Sequence, residues 1–372
     1  MMKLTLVAGA RPNFMKIAPM IRSLSKHPDK LQWRLVHTGQ HYDHGMNDVF
    51  FEELGIPAPN ASLGCGGGGH SEQTARIMTS FDDDLSANPT DWVIVVGDVN
   101  STLACAIVAR KKGVRVAHVE AGLRSGDMSM PEEINRLVTD SISDLFFTTE
   151  PAANAHLKRE GKSDESIHFV GHVMIDNLFY QVDRLSNTVT KTYNSENLKQ
   201  ELQKKFGRYG AVTLHRPANV DNADNLRGIV NALRKVAQDL PLVFPVHPRT
   251  AQTLEKHNID AGENIHLLPA LPYMEFLNLW KDAQIILTDS GGLQEESTAL
   301  GVRCVTIREN TERPVTIDQG TNILAGTNPE NIIKCARESL ARPPSDKRPP
   351  LWDGKAADRI AQVFLNLAKE KN

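Results

Sequence analysis

Short apolar runs alternate with segments of helical period along this chain, and the whole series occurs twice. Parallel strands can be joined only by crossover segments of roughly a dozen residues or more, so the alternation predicts βαβ units and two parallel sheets. In the first half the strand-like runs are residues 3 to 8, 33 to 37, 93 to 96, 114 to 119, 145 to 148 and 167 to 170. The second half has them at 210 to 214, 242 to 246, 265 to 268, 284 to 288, 302 to 307 and 321 to 324. Each run ends in a polar cluster, and the clusters correspond between the halves. Gly9-Ala10-Arg11-Pro12-Asn13 matches Leu214-His215-Arg216-Pro217-Ala218-Asn219, and Val36-His37-Thr38-Gly39-Gln40-His41 matches Val246-His247-Pro248-Arg249. Val96-Gly97-Asp98-Val99-Asn100-Ser101 likewise matches Leu287-Thr288-Asp289-Ser290-Gly291-Gly292. The expected fold is α/β, with two Rossmann-like, doubly wound parallel-sheet domains facing a central cleft and ligands at the carboxyl ends of the strands.

A length of 372 residues suits two such domains. The pattern assigns residues 1–180 to an N-terminal domain and 206–350 to a C-terminal one. Residues 181–205, poor in large apolar side chains from 183 on, read as a linker. In the last segment, 351–372, Ile360, Val363, Phe364 and Leu367 stand at helical spacing, which predicts a helix packing back across the domains.

Lys and Arg number 42 against 45 Asp and Glu, so the net charge of -3 offers no field that gathers nucleic acid or an acidic membrane. A small-molecule partner is the expectation. Cys65, Cys105, Cys304 and Cys335 lack any Cys-x-x-Cys spacing and read as buried free thiols of a reducing cytoplasm. The N-terminus reads as a strand rather than a secretion signal, and no apolar run approaches the roughly 20 residues that span a bilayer.

The densest set of acids and bases is His118-Val119-Glu120-Ala121-Gly122-Leu123-Arg124-Ser125, followed by Met130-Pro131-Glu132-Glu133-Ile134-Asn135-Arg136. A helix start explains the second part, with Pro131 in the first turn and Glu132 and Glu133 at the positive end of the dipole. It leaves the first part unexplained, because a plain turn needs no such charges. Asp98 closes the apolar run Trp92 to Gly97 and reads either as a functional carboxylate or as a helix N-cap. Asp98, Glu120 and Glu132 are expected above one sheet, where carboxylates sharing a partly desolvated cleft raise one another's pKa and suit acid–base work.

In the second half, Thr288 to Glu296 places Gly291 and Gly292 where helix N-terminal amides can approach a phosphate. The alternative is a helix capped by Asp289 or Ser290, with the glycines making a tight turn. Glu296 can accept from ribose hydroxyls or lie on a solvated face. Arg11, Lys16, His215 and Arg216 bring cationic or proton-donating groups to strand ends in both halves, as a nucleotide diphosphate would require. The run Gly64 to His70 lacks the Gly-Lys-Ser/Thr ending of a phosphate loop and reads as a loop closing over the cleft. His37, His41, His44 and His70 form no His-x-x-x-His pair on an apparent helix face, so no metal site is expected.

Taken together, Gly9-Ala10-Arg11-Pro12 with Lys16-Ile17-Ala18-Pro19, Thr38-Gly39-Gln40-His41, Gly97-Asp98, His118 to Ser125 and Pro131 to Arg136 form an ordered series. It continues through Leu214-His215-Arg216, Thr288 to Glu296, and Thr311-Glu312-Arg313-Pro314 with Gly320-Thr321. This series resembles the non-hydrolysing UDP-N-acetylglucosamine 2-epimerases. The resemblance implies the glycosyltransferase-B architecture, a cytoplasmic homodimer, no redox cofactor or metal, and a place in cell-surface polysaccharide biosynthesis. It implies interconversion of UDP-N-acetylglucosamine and UDP-N-acetylmannosamine through 2-acetamidoglucal. Asp98, Glu120 and Glu132 would then be the acid/base groups, and His215 with Arg11 would hold or protonate the departing diphosphate. Lys16, Arg136 and Arg313 would bind substrate, Phe276 would lie by the uracil, and Ser290, Gly291, Gly292 and Glu296 would hold phosphate and ribose. A second UDP-N-acetylglucosamine, bound as activator, is implied at Gln40, His41, Arg76 and His247. Three departures stand out: Asn13 where many members carry glutamate, Asp43 where the bacterial activator site often has glutamine, and a shorter loop between Arg124 and Pro131. A 2-epimerase of a UDP-2,3-diacetamido-uronic acid and the hydrolysing subgroup share almost the same motifs. A glycosyltransferase of the same architecture is the reading from another class.

Overall fold

The computed structural model describes residues 1–40, 48–187, 194–343 and 347–370, so His41, Asp43 and His44 lie outside the described residues. The chain divides into two units, Met1–Asn177 with Pro350–Asn372, and Leu178–Pro349. Both are Rossmann-like parallel-sheet α/β units of the glycosyltransferase-B class.

Among the described residues the first unit holds seven strands: β1 (Met2–Ala8), β2 (Leu31–His37), β3 (Ala61–Ser62), β4 (Trp92–Val96), β5 (Arg115–Val119), β6 (Leu145–Thr148) and β7 (Ile167–Phe169). Their order is β3-β2-β1-β4-β5-β6-β7, all parallel, so the chain reverses direction across the sheet between β1 and β4. That switch point is where loops diverge and leave room for a ligand. All five β4 residues are buried, a continuous apolar run that a sheet covered on both faces requires. One face packs Leu4, Leu6, Ile94 and Val96 with the helices Arg11–Leu24 and Ala356–Glu370, and the other packs Val93, Val95 and Val116 with the helices His70–Ala87 and Asn100–Lys111.

Two sequence expectations change here. Strand β3 precedes the glycine-rich run and pairs with Val36 and His37, but two residues carry no readable periodicity. The C-terminal helix belongs to the first unit, with Phe364 in edge contact with Trp92 at 5.8 Å. Its first amides, Ala356 N and Ala357 N, donate to Asp176 at 3.1 and 2.7 Å. Burial pushes that carboxyl up to about 6.

The second unit holds β8 (Gly210–Thr213), β9 (Leu242–Val246), β10 (Ile265–Pro269), β11 (Ile286–Thr288), β12 (Cys304–Thr306) and β13 (Asn322–Leu324), in the parallel order β10-β9-β8-β11-β12-β13. Its switch point lies between β8 and β11. The expected linker is largely helical instead, with one helix running to Asn187 and another covering Asn194–Phe206. The second helix hides its packing in polar chemistry. Lys199 is buried between Glu196 at 2.7 Å and Asp282 at 3.0 Å, and Ser195 donates to Glu275 at 2.6 Å, so few large apolar residues are needed.

Candidate active site

In the first unit the site is assembled from two adjacent strand ends and one helix start. Val96 of β4 pairs with Val119 of β5, so Gly97-Asp98 and Glu120-Ala121-Gly122 leave the sheet at the same level. Gly97 has φ 69° and Glu120 has φ 70°. For a glutamate this left-handed backbone costs on the order of 1–3 kcal/mol and persists only where the surroundings fix it. They do so here, since Glu120 N and Ala121 N both donate to Phe147 O and Gly122 N donates to Asp140 Oδ2 at 3.0 Å. The Glu120 carboxylate is buried with Lys16 Nζ 2.5 Å from Oε2. A side chain at Gly97 would bring Cβ within 3.3 Å of that ammonium group.

Asp98 is half-buried and paired with Arg136, whose Nη1 lies 2.5 Å from Oδ2. It is not a cap: Val99 occupies the N-cap position of the following helix. Arg136 also donates to Glu133 through Nε and Nη2, at 3.0 and 2.8 Å. Glu133 is therefore no solvated helix-start charge. It is buried and accepts the amides of Ser125 and Gly126, both at 3.0 Å. Burial pushes its carboxyl up, but those amides and Arg136 outweigh this and bring it down to about 2. The crowd of bare carboxylates expected from the sequence is replaced by Asp98 and Glu120 each on its own cation, with Glu132 half-buried at the start of the helix Pro131–Ile142.

Asp98 and Glu132 line a cavity of about 300 Å³ together with Asn100, Asn135, His70 and Gln73. Lys16 and Arg136, expected on the substrate, are thus placed on protein carboxylates, while Arg11 is exposed at the first residue of its helix. Asn13, at the glutamate position, ties the same turn together by accepting from Gly9 N and Ala10 N and donating to Val96 O. Of the implied activator residues, Gln40 is buried, its Oε1 accepting from Ser101 N and Oγ at 2.9 and 2.7 Å. Arg76 pairs with Glu72 at 2.7 Å and donates to the carbonyls of Gly66 and Gly67, so it holds the glycine-rich loop.

In the second unit, Asp289 sits at the end of β11 with no exposure. It accepts from His215 N, Arg216 N and Asn219 Nδ2, and its Oδ1 lies 3.1 Å from His215 Nδ1. Burial alone would raise this carboxyl; these donors hold it below the ordinary range. Neither expected cap forms, because Ser290 takes the N-cap position of the helix Gly291–Leu300 without a side-chain bond and Asp289 is turned away. The N-terminal amides, with nothing within 4 Å of a side chain built at Gly292, remain able to meet an anion. Glu296 is buried and accepts from Tyr273 Oη at 2.9 Å; burial and the glutamate's charge push that phenol well up, so it stays a donor. Phe276 is half-buried on the same helix as Tyr273. Arg313 pairs with Glu295 at 2.6 Å, and His247 caps its helix by accepting from Arg249 N. Among the described residues no group of three or more His, Cys, Asp or Glu side chains is placed to hold a metal, and no helix is long and apolar enough to cross a membrane.

The sequence reading passed over Asp140 and gave Asp289 only a capping role. Asp140 lies inside a helix 22 positions from His118, whose Nδ1 is 2.6 Å from its Oδ1, and no local pattern marks that pairing.

Two Rossmann-like units, one with carboxylates and cations paired at its strand ends and the other with an uncapped helix start, have the general form of an α/β enzyme with its ligand sites at the carboxyl ends of the strands. The sequence profile described as UDP-N-acetylglucosamine 2-epimerase matches residues 22–365, and the chain belongs to that family. It is 41% identical, over 99% of its length and 100% of the relative's, to a UDP-N-acetylglucosamine 2-epimerase of Methanococcus maripaludis. It is 36% identical, over 98% of its length and 100% of the relative's, to a UDP-2,3-diacetamido-2,3-dideoxy-D-glucuronate 2-epimerase of Pseudomonas aeruginosa. The crystal structure of the Methanocaldococcus jannaschii UDP-GlcNAc 2-epimerase in complex with UDP-GlcNAc and UDP superposes with a TM-score of 0.83 at 38% identity, over 98% of this chain and 100% of that one.

Proposed function

We propose that the protein interconverts UDP-N-acetylglucosamine and UDP-N-acetylmannosamine without hydrolysis. The observation that carries this reading is the placement of Asp98 and Glu120 at adjacent strand ends, each with its own cation, beside a cavity that Glu132 shares with Asp98. The C2 proton of the sugar is not acidified by a carbonyl, so the C1–O bond to UDP must open as the C2–H bond breaks. The C2–H electron pair forms the C1=C2 bond of 2-acetamidoglucal, the C1–O pair leaves with UDP, and a carboxylate takes the proton. Return of a proton to the opposite face of C2, with UDP rejoining C1, gives the epimer. A positioned acid or base contributes typically 10²–10⁴-fold to such a step.

Lys16 and Arg136 serve this chemistry by giving buried carboxylates a counter-charge. In the second unit the amides of Ser290, Gly291 and Gly292 receive the diphosphate, Glu296 the ribose and Phe276 the uracil, with Arg313 fixed beside them on Glu295. His215, its Nδ1 on Asp289, presents the other ring nitrogen to the departing phosphate oxygen. The resemblance further carries the reading of a cytoplasmic homodimer, which sedimentation tests. Of the implied activator residues, Gln40 and Arg76 have partners inside the first unit, Ser101 and Glu72.

Proton NMR of the purified protein with UDP-N-acetylglucosamine in deuterated water tests the proposal. Both epimers deuterated at C2 are expected, with no free sugar accumulating. Free N-acetylmannosamine would assign the chain to hydrolysing chemistry. Unchanged substrate, with turnover of a UDP-diacetamido-uronate instead, would move the sugar but keep the reaction.

A further inference from the structure

His118 is the last residue but one of β5 and has no exposed surface, so it has no access to a substrate. Each of its ring nitrogens nevertheless faces an oxygen that can only accept: Nε2 lies 2.8 Å from Gly97 O, and Nδ1 lies 2.6 Å from Asp140 Oδ1. Asp140, equally buried, accepts Gly122 N–H with its other oxygen, which also lies 2.7 Å from Arg124 Nη2. Burial pushes Asp140 up, and the charges of His118 and Arg124 bring it below the ordinary carboxylate range. Four bonds thus tie together three segments that each carry an acid: the turn after β4 with Asp98, the turn after β5 with Glu120, and the helix Pro131–Ile142 with Glu132 in its first turn.

We propose that His118 and Asp140 are positioning residues that fix the mutual placement of Asp98, Glu120 and Glu132, and so govern proton transfer at C2 without touching the sugar. The proposal rests on the epimerase reading above. The backbone supplies its reason. Both acid-bearing turns use left-handed φ, at Gly97 and at Glu120 itself, and a glutamate leaves that conformation readily unless bonded on both sides. Phe147 O holds one side of the Glu120 turn and Asp140, on Gly122 N, the other, while His118 on Gly97 O holds the turn that carries Asp98. Buried polar groups so fully bonded specify a single arrangement, and a displacement of about 1 Å at reacting groups costs about 10²-fold in rate.

The test measures kcat, KM and the calorimetric UDP affinity of the whole chain carrying Asp140→Asn, with thermal unfolding recorded alongside. The asparagine can still accept from Gly122 but cannot accept from both neighbours as a carboxylate does. A fall of about 100-fold in kcat and in C2 deuterium exchange is expected, with KM and UDP affinity changed less than about threefold. Wild-type kcat per folded molecule, whatever the change in unfolding temperature, would overturn the proposal by showing a structural role alone. A parallel loss of kcat and UDP affinity would overturn it as well. Should Asp140→Asn not fold, His118→Gln, which keeps a donor for Gly97 O but drops the link to Asp140, decides by the same criteria. Wild-type protein that exchanges no C2 proton would remove the epimerase reading and this proposal together. Exchange in wild type with unimpaired variants would remove only this one.

Discussion

Each unit sets an aspartate against a histidine at a strand end, and the two pairs differ in what the histidine has left over. His118 is fully buried with both ring nitrogens bonded, whereas His215 has 42% of its side chain exposed and only Nδ1 on its aspartate. The aspartates differ in the same sense. Asp140 joins backbone segments that carry acids, while Asp289 fixes the His215-Arg216 turn itself. A histidine with no remaining hydrogen-bond edge can hold geometry but cannot exchange a proton with a ligand; one with an edge in solvent can. Around the first pair two carboxylates each hold a cation, and around the second a helix start has no side-chain cap. On the proposed reading the first unit orients acids and the second receives an anion.

The largest expected effects come from the acids themselves. Asp98→Asn, Glu120→Gln and Glu132→Gln should each lower kcat by about 10²–10⁴-fold while UDP binding by calorimetry stays near wild type. A variant that keeps full turnover removes its residue from proton transfer. Next comes His215→Asn, for which a loss of about 10²-fold in kcat is expected, because the exposed ring edge is removed while Asp289 still holds the turn by its backbone amides. Unchanged kcat there would erase the contrast between the two histidines. Glu296→Gln should be milder and of a different kind, raising KM about tenfold with kcat at saturation almost intact. The smallest effect concerns acid stability. Glu133 titrates near 2 in the fold against an ordinary 4.5, so the stability it contributes is complete above about pH 4.5 and is lost as pH falls toward 2. Circular dichroism across that range should show Glu133→Gln losing less stability with acid than wild type.

Much of this contrast was legible in the sequence. The parallel sheets followed from buried runs such as Trp92 to Val96, and the strand-end clusters marked both switch points because charges there have no packing purpose. What escaped was pairing. Lys16 and Arg136 read as ligand cations because nothing local tells that a lysine on one helix meets a glutamate 104 positions later, or that Arg136 closes on Asp98. Glu133 read as a dipole charge because the donors it accepts from, the Ser125 and Gly126 amides, belong to a loop whose path no periodicity describes. The helix Asn194–Phe206 was missed for a related reason, its inward face being held by Lys199 and Ser195 rather than by apolar bulk.

The division of labour between the units is the central claim, and C2 proton exchange at saturating UDP-N-acetylglucosamine in deuterated water measures it directly. Glu120→Gln should bind UDP normally and exchange the proton about 10²–10⁴-fold more slowly than wild type, while Glu296→Gln exchanges at a rate close to wild type once saturated. Exchange near the wild-type rate in Glu120→Gln, or its loss in saturated Glu296→Gln, would contradict the account.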